Sequence, residues 1–526
     1  MWAGELAALR QFTHDLEARP PLPSAKAEQL EEHSRQIAAI QELLSRVAAM
    51  PLERRPPVAD WDDVLGPLWR RLFAKGDDIH RYVLADLWSR TLAEAGEVER
   101  SLIATIGVVA SARNFYRFEE ALERCQRGRA LASGRPSAPL AQLINVEGSI
   151  HYFTGDFEGA ERLYREALQT AAPLSSNEMQ RWIGATKSDF VSQEYYNILE
   201  TYLDRGNAAL PRERSEWSAR ARQLQEALDS LVLSEGFHRF RAVAAAGFAI
   251  LEGDFAGTRK ALDGLRERGL EEGPYRYPLR TTHCRLQARI CQLEGDWAGA
   301  YGWVRRALQE GLNHCFPSEE QQVLDQALQV LRGLNALREP DPEKTLVADI
   351  VQLLEDKDWY TGRSHSRSVG ELAVRVGGDL HERGRDDIDL SLLHRAGLLH
   401  DIGKLRCPWS LLNKIAPITA PERSLLQDHS AHGGTILRAV GMEPVAAVVE
   451  QHHETMDGSG YPRRVVPGPM GAIVGLCDVY EASVTPNRRY KLPKSRDEAL
   501  REIQELAGTR YWRPAVEALV RVVGRA

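Results

Sequence analysis

The chain has 526 residues, 43% hydrophobic and 27% charged, with a formal net charge of −7. That length is too great for one ordinary domain, and the balance excludes a disordered chain. The mild acidity and the absence of a basic run argue against nucleic-acid and membrane partners.

The first residues, Met1-Trp2-Ala3-Gly4-Glu5, lack the basic-then-apolar order of a secretion signal. The longest apolar stretches, such as Leu102–Ala112 and Ala242–Leu251, are too short to span a bilayer. The six cysteines (Cys125, Cys284, Cys291, Cys315, Cys407, Cys477) show no Cys-x-x-Cys spacing. A reducing cytoplasm with buried, unpaired thiols is therefore expected.

In chain order, residues 1–90 read as a leading helical segment broken at Arg19-Pro20-Pro21-Leu22-Pro23 and at Arg54-Arg55-Pro56-Pro57. Residues 91–336 carry a recurring turn: Gly155-Asp156-Phe157-Glu158-Gly159-Ala160, Gly253-Asp254-Phe255-Ala256-Gly257-Thr258 and Gly295-Asp296-Trp297-Ala298-Gly299-Ala300. Glycine stops one helix and aspartate caps the next, while the aromatic and small residues pack the pair. Weaker versions start at Asn114 and Gly206. The pattern resembles a tetratricopeptide-like array of helical hairpins, which buries its core only by stacking and leaves a groove for a protein or peptide partner. Residues 337–345, around Pro340 and Pro342, read as a linker.

From 346 to 526 no alternation of strand type is sustained. Val369, Leu372, Ala373 and Val376 share one helical face, and Leu425, Leu426, Ile436 and Leu437 are expected across another helix. The whole chain is expected to be all-α. Into this segment falls a scattered set of histidines and aspartates, from His365 through His400-Asp401-Ile402-Gly403-Lys404 and His429 to His452-His453 and Asp478. Neutral imidazoles with shared carboxylates suit iron or manganese. A phosphodiester repels hydroxide, and a pair of adjacent cations neutralises that charge and acidifies a bound water. Lys404 lies one helical turn after His400, so its ammonium is expected at the same place.

The motifs Tyr360-Thr361-Gly362 with His365-Ser366, His400-Asp401-Ile402-Gly403-Lys404, Asn413-Lys414, His429 with Gly433, His452–Pro462, Asp478-Val479-Tyr480-Glu481-Ala482 and Arg488-Arg489-Tyr490-Lys491 follow one another in order. Together they resemble the bacterial HD-GYP domain, a group of HD phosphohydrolases that hydrolyse cyclic di-GMP. The resemblance implies an all-helical domain at 346–526 holding two divalent metal ions, iron or manganese. One would be held by His365, His400, Asp401 and Asp478, the other by Asp401, His429, His452 and His453. Asp401 and Lys404 would serve catalysis. Lys404, Gly460, Tyr461, Pro462, Arg488 and Lys491 would contact substrate. The glutamate that gives some relatives a third metal is replaced by Thr361, with Glu355 and Asp358 further upstream. His432 has no counterpart and is expected on the surface.

The resemblance also implies cleavage of cyclic di-GMP to pGpG or GMP, with a diguanylate cyclase as a partner of the Gly460-Tyr461-Pro462 loop and a homodimer as an option. The alternatives are another cyclic dinucleotide as substrate, or a catalytically inactive nucleotide receptor or scaffold. Ser368 and Arg489 stand where the family usually has arginine and proline, and every expected ligand is present.

Overall fold

A computed structural model describes residues 3–19, 27–51, 55, 58–74, 77–208, 211–229, 238–267, 276–314, 317–337, 348, 350–352, 354–355, 357–358, 365–414, 418–485 and 493–524. Among these the chain is all-α, with an isolated bridge between Ala507 and Tyr511 and no strand. It divides into two compact units, Met1–Val323 and Leu324–Ala526. No described helix is long and apolar enough to cross a membrane. The described cysteines are free, and all but the half-buried Cys291 are buried; Cys315 lies outside the described residues.

The first unit opens with α1 (Ala3–Ala18), α2 (Ala27–Ala48) and α3 (Val58–Ala74). Leu16, Ile37, Leu44, Trp61 and Leu65 pack from all three into one core that extends to Trp88 of α4 (Asp78–Glu94). Then come α5 (Val98–Asn114), α6 (Phe118–Ala132), α7 (Ala138–Phe153), α8 (Phe157–Ala171), α9 (Ser176–Ile183), α10 (Lys187–Ala208), α11 (Pro211–Asp229), α12 (His238–Glu252), α13 (Phe255–Glu267), α14 (Arg276–Leu293) and α15 (Trp297–His314), while α16 (Pro317–Leu337) runs across the boundary at Val323.

The recurring turn has one physical form. At α7/α8, α12/α13 and α14/α15 the first glycine is left-handed, with φ of +80°, +75° and +80° for Gly155, Gly253 and Gly295. The amide of the following aspartate closes back on the carbonyl of His151, Ala249 or Cys291. Its carboxylate then accepts the amide of Gly159, Gly257 or Gly299 at 2.8–3.0 Å. A Cβ on this second glycine would lie 2.0–2.2 Å from the other carboxylate oxygen, Oδ2, so only glycine admits the capping aspartate in this position. The weaker turn after Asn114 also forms, with Tyr116 in the left-handed position at φ +60°. Gly206 differs from expectation. It lies inside α10, where a Cβ would meet Leu251 at 2.7 Å and Trp217 at 2.9 Å, so it serves close packing and makes no turn.

The second unit contains α17 (His365–His381), α18 (Leu390–Leu399), a 3-10 turn at Ile402–Arg406, α19 (Trp409–Leu412), α20 (Ala420–Gln427), α21 (His429–Ala439), α22 (Glu443–Val449), α23 (Pro469–Val484), α24 (Arg496–Glu505) and α25 (Arg513–Gly524). Val369, Leu372, Ala373 and Val376 form the buried face of α17, as their spacing requires. The single helix expected across Leu425 to Leu437 is instead two, broken around Asp428 so that His429 opens α21.

Candidate metal centre

Three glycine contacts bring the site's elements within reach of one another. A Cβ on Gly397 of α18 would lie 2.6 Å from Cα of Gly370 in α17, so these helices touch backbone to backbone. Gly403 meets the His429 carbonyl, where a Cβ would be 1.8 Å away, and Gly475 of α23 meets the His452 carbonyl, where it would be 1.9 Å away. Any side chain at these positions would push a histidine-bearing segment outward.

The result is two clusters of ligand-type atoms. His365 opens α17, His400 caps the end of α18, and Asp478 lies in the middle of α23. His365 Nε2 is 3.1 Å from Asp478 Oδ1, and His400 Nε2 is 3.6 Å from that same oxygen. On the other side, His429 Nε2 is 3.2 Å from His452 Nε2, and the His453 ring is 5.0 Å from the His429 ring, centroid to centroid. Asp401 stands between them. Its Oδ2 is 3.3 Å from His400 Nε2 and 4.0 Å from His365 Nε2, while Oδ1 is 3.5 Å from His429 Nε2. Each oxygen of one carboxylate thus addresses a different cluster.

The rings are held from behind. Nδ1 of His400, His429 and His452 faces the backbone carbonyl three residues earlier, Gly397, Leu426 and Val449, at 2.8, 2.6 and 2.6 Å. Donating there anchors Nδ1 and turns Nε2 inward, as metal-binding histidines are commonly arranged. His400 Nε2 is fully buried and makes no well-aligned hydrogen bond.

The charges tell the same story. Burial lowers His429 and His452, and pushes His453 down to about 3, keeping these imidazoles neutral. Burial opposes charge on His400 too, yet Asp401 and Asp478 outweigh it and hold its pKa up at about 10. Burial would raise Asp401 and Asp478, but Lys404 and the imidazoles keep both well below the usual carboxylate range. Two buried anions facing inward lone pairs form a donor set that fits divalent cations.

Residues 350–514 match the HD domain family. A cyclic di-GMP phosphodiesterase of Thermotoga maritima is 35% identical over 184 residues, covering 34% of this chain and 48% of that protein. One from Pseudomonas aeruginosa is 37% identical over 198 residues, 36% of this chain and 44% of its own. A 3'3'-cGAMP-specific phosphodiesterase of Vibrio cholerae is 28% identical over 186 residues, 34% of this chain and 35% of its own. The chain thus spans less than half the length of each of these curated relatives.

Around the two clusters the remaining expected residues fall as follows. Lys404 lies on the 3-10 turn, since α18 ends before it, and reaches Asp401 Oδ2 at 2.7 Å. Tyr461 tilts over the His453 ring with centroids 4.7 Å apart, and its amide donates to the His453 carbonyl at 3.2 Å. Gly460 packs under the same segment, where a Cβ would lie 2.5 Å from the His453 carbonyl. Pro462 follows it in the loop. Thr361, Arg488 and Lys491 lie outside the described residues. His432 is half-buried, because α21 turns that face toward the protein.

The structure gives roles at the site to residues for which the sequence reading had none of this kind. Asp358 is buried with Oδ2 3.3 Å from Lys404 Nζ, which identifies it as a partner of the lysine. Glu454 accepts the amides of Arg463, Arg464 and Val465 at 2.6–3.1 Å, fastening the loop's backbone. Gln451 accepts the Gly468 amide at 2.7 Å, tying the start of α23 to the histidine pair. For Gln451 and Glu454, the place beside the His452-His453 motif was the only signal available.

Proposed function

We propose that the C-terminal unit is a metal-dependent phosphodiesterase whose leading substrate is cyclic di-GMP, cleaved to pGpG or onward to GMP. The observation that carries this reading is Asp401, whose two oxygens each lie 3.3–3.5 Å from the inward Nε2 of a different cluster. His365, His400, Asp401 and Asp478 would hold one divalent ion, and Asp401, His429, His452 and His453 the other. Such a pair, iron or manganese by its ligands, would neutralise the phosphate and acidify a bound water for in-line attack. Lys404, held between Asp401 and Asp358, presents its ammonium to a phosphate oxygen. Gly460, Tyr461 and Pro462 line the substrate side beside His453, and Arg488 and Lys491 are assigned the outer phosphate and guanine contacts.

The relatives named as phosphodiesterases support the activity, and those named as 3'3'-cGAMP-specific favour a second reading in which a mixed cyclic dinucleotide is preferred. Residues 91–336 are proposed as a tetratricopeptide-like array that docks a regulator or localises the enzyme. The test is metal analysis of anaerobically purified full-length protein, followed by product analysis on cyclic di-GMP and 3'3'-cGAMP side by side. About two ions per chain and linear product from one substrate are expected. Metal-free protein that takes up no iron or manganese and cleaves neither would overturn the reading.

A further inference from the structure

Glu450 is buried beside the histidine pair and is not among the ligand-type groups. Arg438 forks onto it, with Nη1 to Oε1 at 2.6 Å and Nη2 to Oε2 at 2.9 Å. Arg463 Nη2 reaches the same Oε2 at 2.9 Å. Arg438 belongs to α21, which His429 opens; Glu450 lies two residues before His452; Arg463 directly follows Gly460-Tyr461-Pro462. One carboxylate therefore joins the three segments that surround the second cluster. Its approach is built in, since a Cβ on Gly434 of α21 would lie 2.3 Å from Glu450 Cγ. The paired guanidinium of Arg438 holds the Glu450 carboxyl below its ordinary pKa, so it stays an anion.

We propose that Glu450 is a positioning residue that sets the Gly460-Tyr461-Pro462 loop over the second histidine cluster, with Arg463 as its handle on the loop. The proposal rests on the phosphodiesterase reading for the loop's contact with substrate. Glu454 holds the loop's backbone from inside, while Glu450 holds a side chain of the loop against α21 from outside. Two attachments on different faces fix the loop's rotation as well as its distance, and that rotation determines whether Tyr461 stays over the His453 ring. The carboxylate touches neither substrate nor reacting atoms; it acts through Arg463 and Tyr461.

The test compares full-length wild type with Arg463→Ala, Arg463→Lys and Glu450→Gln. Arg463→Ala is expected to raise KM for the cyclic dinucleotide about fivefold, with kcat within about twofold, because the loss is in substrate placement. Metal content and melting temperature should stay at the wild-type values, and Arg463→Lys should recover most of the KM. Glu450→Gln should move KM in the same direction and further. Independently of turnover, amide exchange in a peptide covering residues 456–462 should speed up in both Arg463→Ala and Glu450→Gln. Unchanged exchange in both variants overturns the proposal. A wild type that turns over no dinucleotide sinks the phosphodiesterase reading instead, and the exchange measurement still decides this one.

Discussion

Among the described residues each unit holds a buried set of histidine and aspartate, and the two sets differ in a way residue type alone does not reveal. In the first unit, Asp77 caps the start of α4 and lies 2.5 Å from His33 Nε2, and 2.7 and 2.8 Å through its two oxygens from His80 Nδ1. In the second unit the corresponding separations are 3.1–4.0 Å. Two ligands on one ion, each about 2.0–2.2 Å from it, stand roughly 3 Å or more apart, whereas hydrogen-bonded pairs are shorter. The nitrogens differ as well. His33 turns its bonded nitrogen to the aspartate and leaves Nδ1 without a partner, while His400, His429 and His452 anchor Nδ1 and leave Nε2 facing inward. The first set is a clamp made of hydrogen bonds, joining α2 to α4; the second has the spacing of a cation cage.

The sharpest way to break this contrast is to remove each central carboxylate. Asp401→Asn should cut phosphodiesterase turnover by at least about a thousandfold, several kcal/mol of transition-state stabilisation, because the shared ligand is lost. Metal content should fall with it. Asp77→Asn should leave metal content and turnover per folded molecule unchanged. It should instead lower the first unit's stability by about 2–3 kcal/mol, because an amide N–H then faces an imidazole N–H in a site without water access. A melting curve with metal analysis on both variants checks the pair, and loss of bound metal in Asp77→Asn would show that the clamp is a metal site after all.

How much of this was legible beforehand follows from the same comparison. The second unit's set was readable because His400-Asp401 and His452-His453 are short motifs whose residue types announce their chemistry. His33, Asp77 and His80 carry no such motif; 44 residues separate His33 from Asp77, and only the packing of α2 on α4 brings them together. The hairpin turns were legible because glycine and aspartate act on their immediate neighbours. Gly206 was misread because an identical residue inside a helix answers to Leu251 and Trp217, which are distant in sequence. The pairing of Asp358 with Lys404 was not legible for a similar reason, since the two lie 46 positions apart. Local chemistry is written locally, and pairings made by tertiary approach are not.

The glycine contacts offer a gentler test of the cage's spacing. Gly475→Ala would put a methyl 1.9 Å from the His452 carbonyl, forcing α23 and the histidine pair apart. Overpacking of this kind should cost about 1–3 kcal/mol of stability and weaken metal retention, leaving the first unit's melting transition in place. Gly302→Ala, at a position where a Cβ would meet nothing within 4 Å, is the control and should change neither.

Acid gives the most diagnostic effect, measured on chelator-treated protein between pH 7 and pH 5. His453 is held down at about 3 in the fold by burial and by the neighbouring His429, against about 6.5 when unfolded. Between those values the unfolded chain takes the proton and the folded chain does not. The stability this group contributes is therefore whole above pH 6.5 and declines as the pH falls. His429 and His452 are lowered for the same reason and act with the same sign. His400 opposes them: raised to about 10, it is protonated in the fold throughout this window, and its contribution grows slightly as the pH drops below 7. His453 alone should outweigh His400 by about 1 kcal/mol between pH 7 and pH 5, and His429 and His452 add to that loss in the second unit. Asp77, held far below the usual carboxylate range despite its burial by His80 and His33, stays ionised across the same window. The first unit's clamp therefore keeps its charge where the second unit's cluster begins to lose its footing. Added manganese should remove the acid loss at pH 6, because a bound cation and a proton compete for the same imidazole lone pairs. A second-unit melting transition that does not move with acid in the chelated protein would mean that these imidazoles are not held neutral by burial.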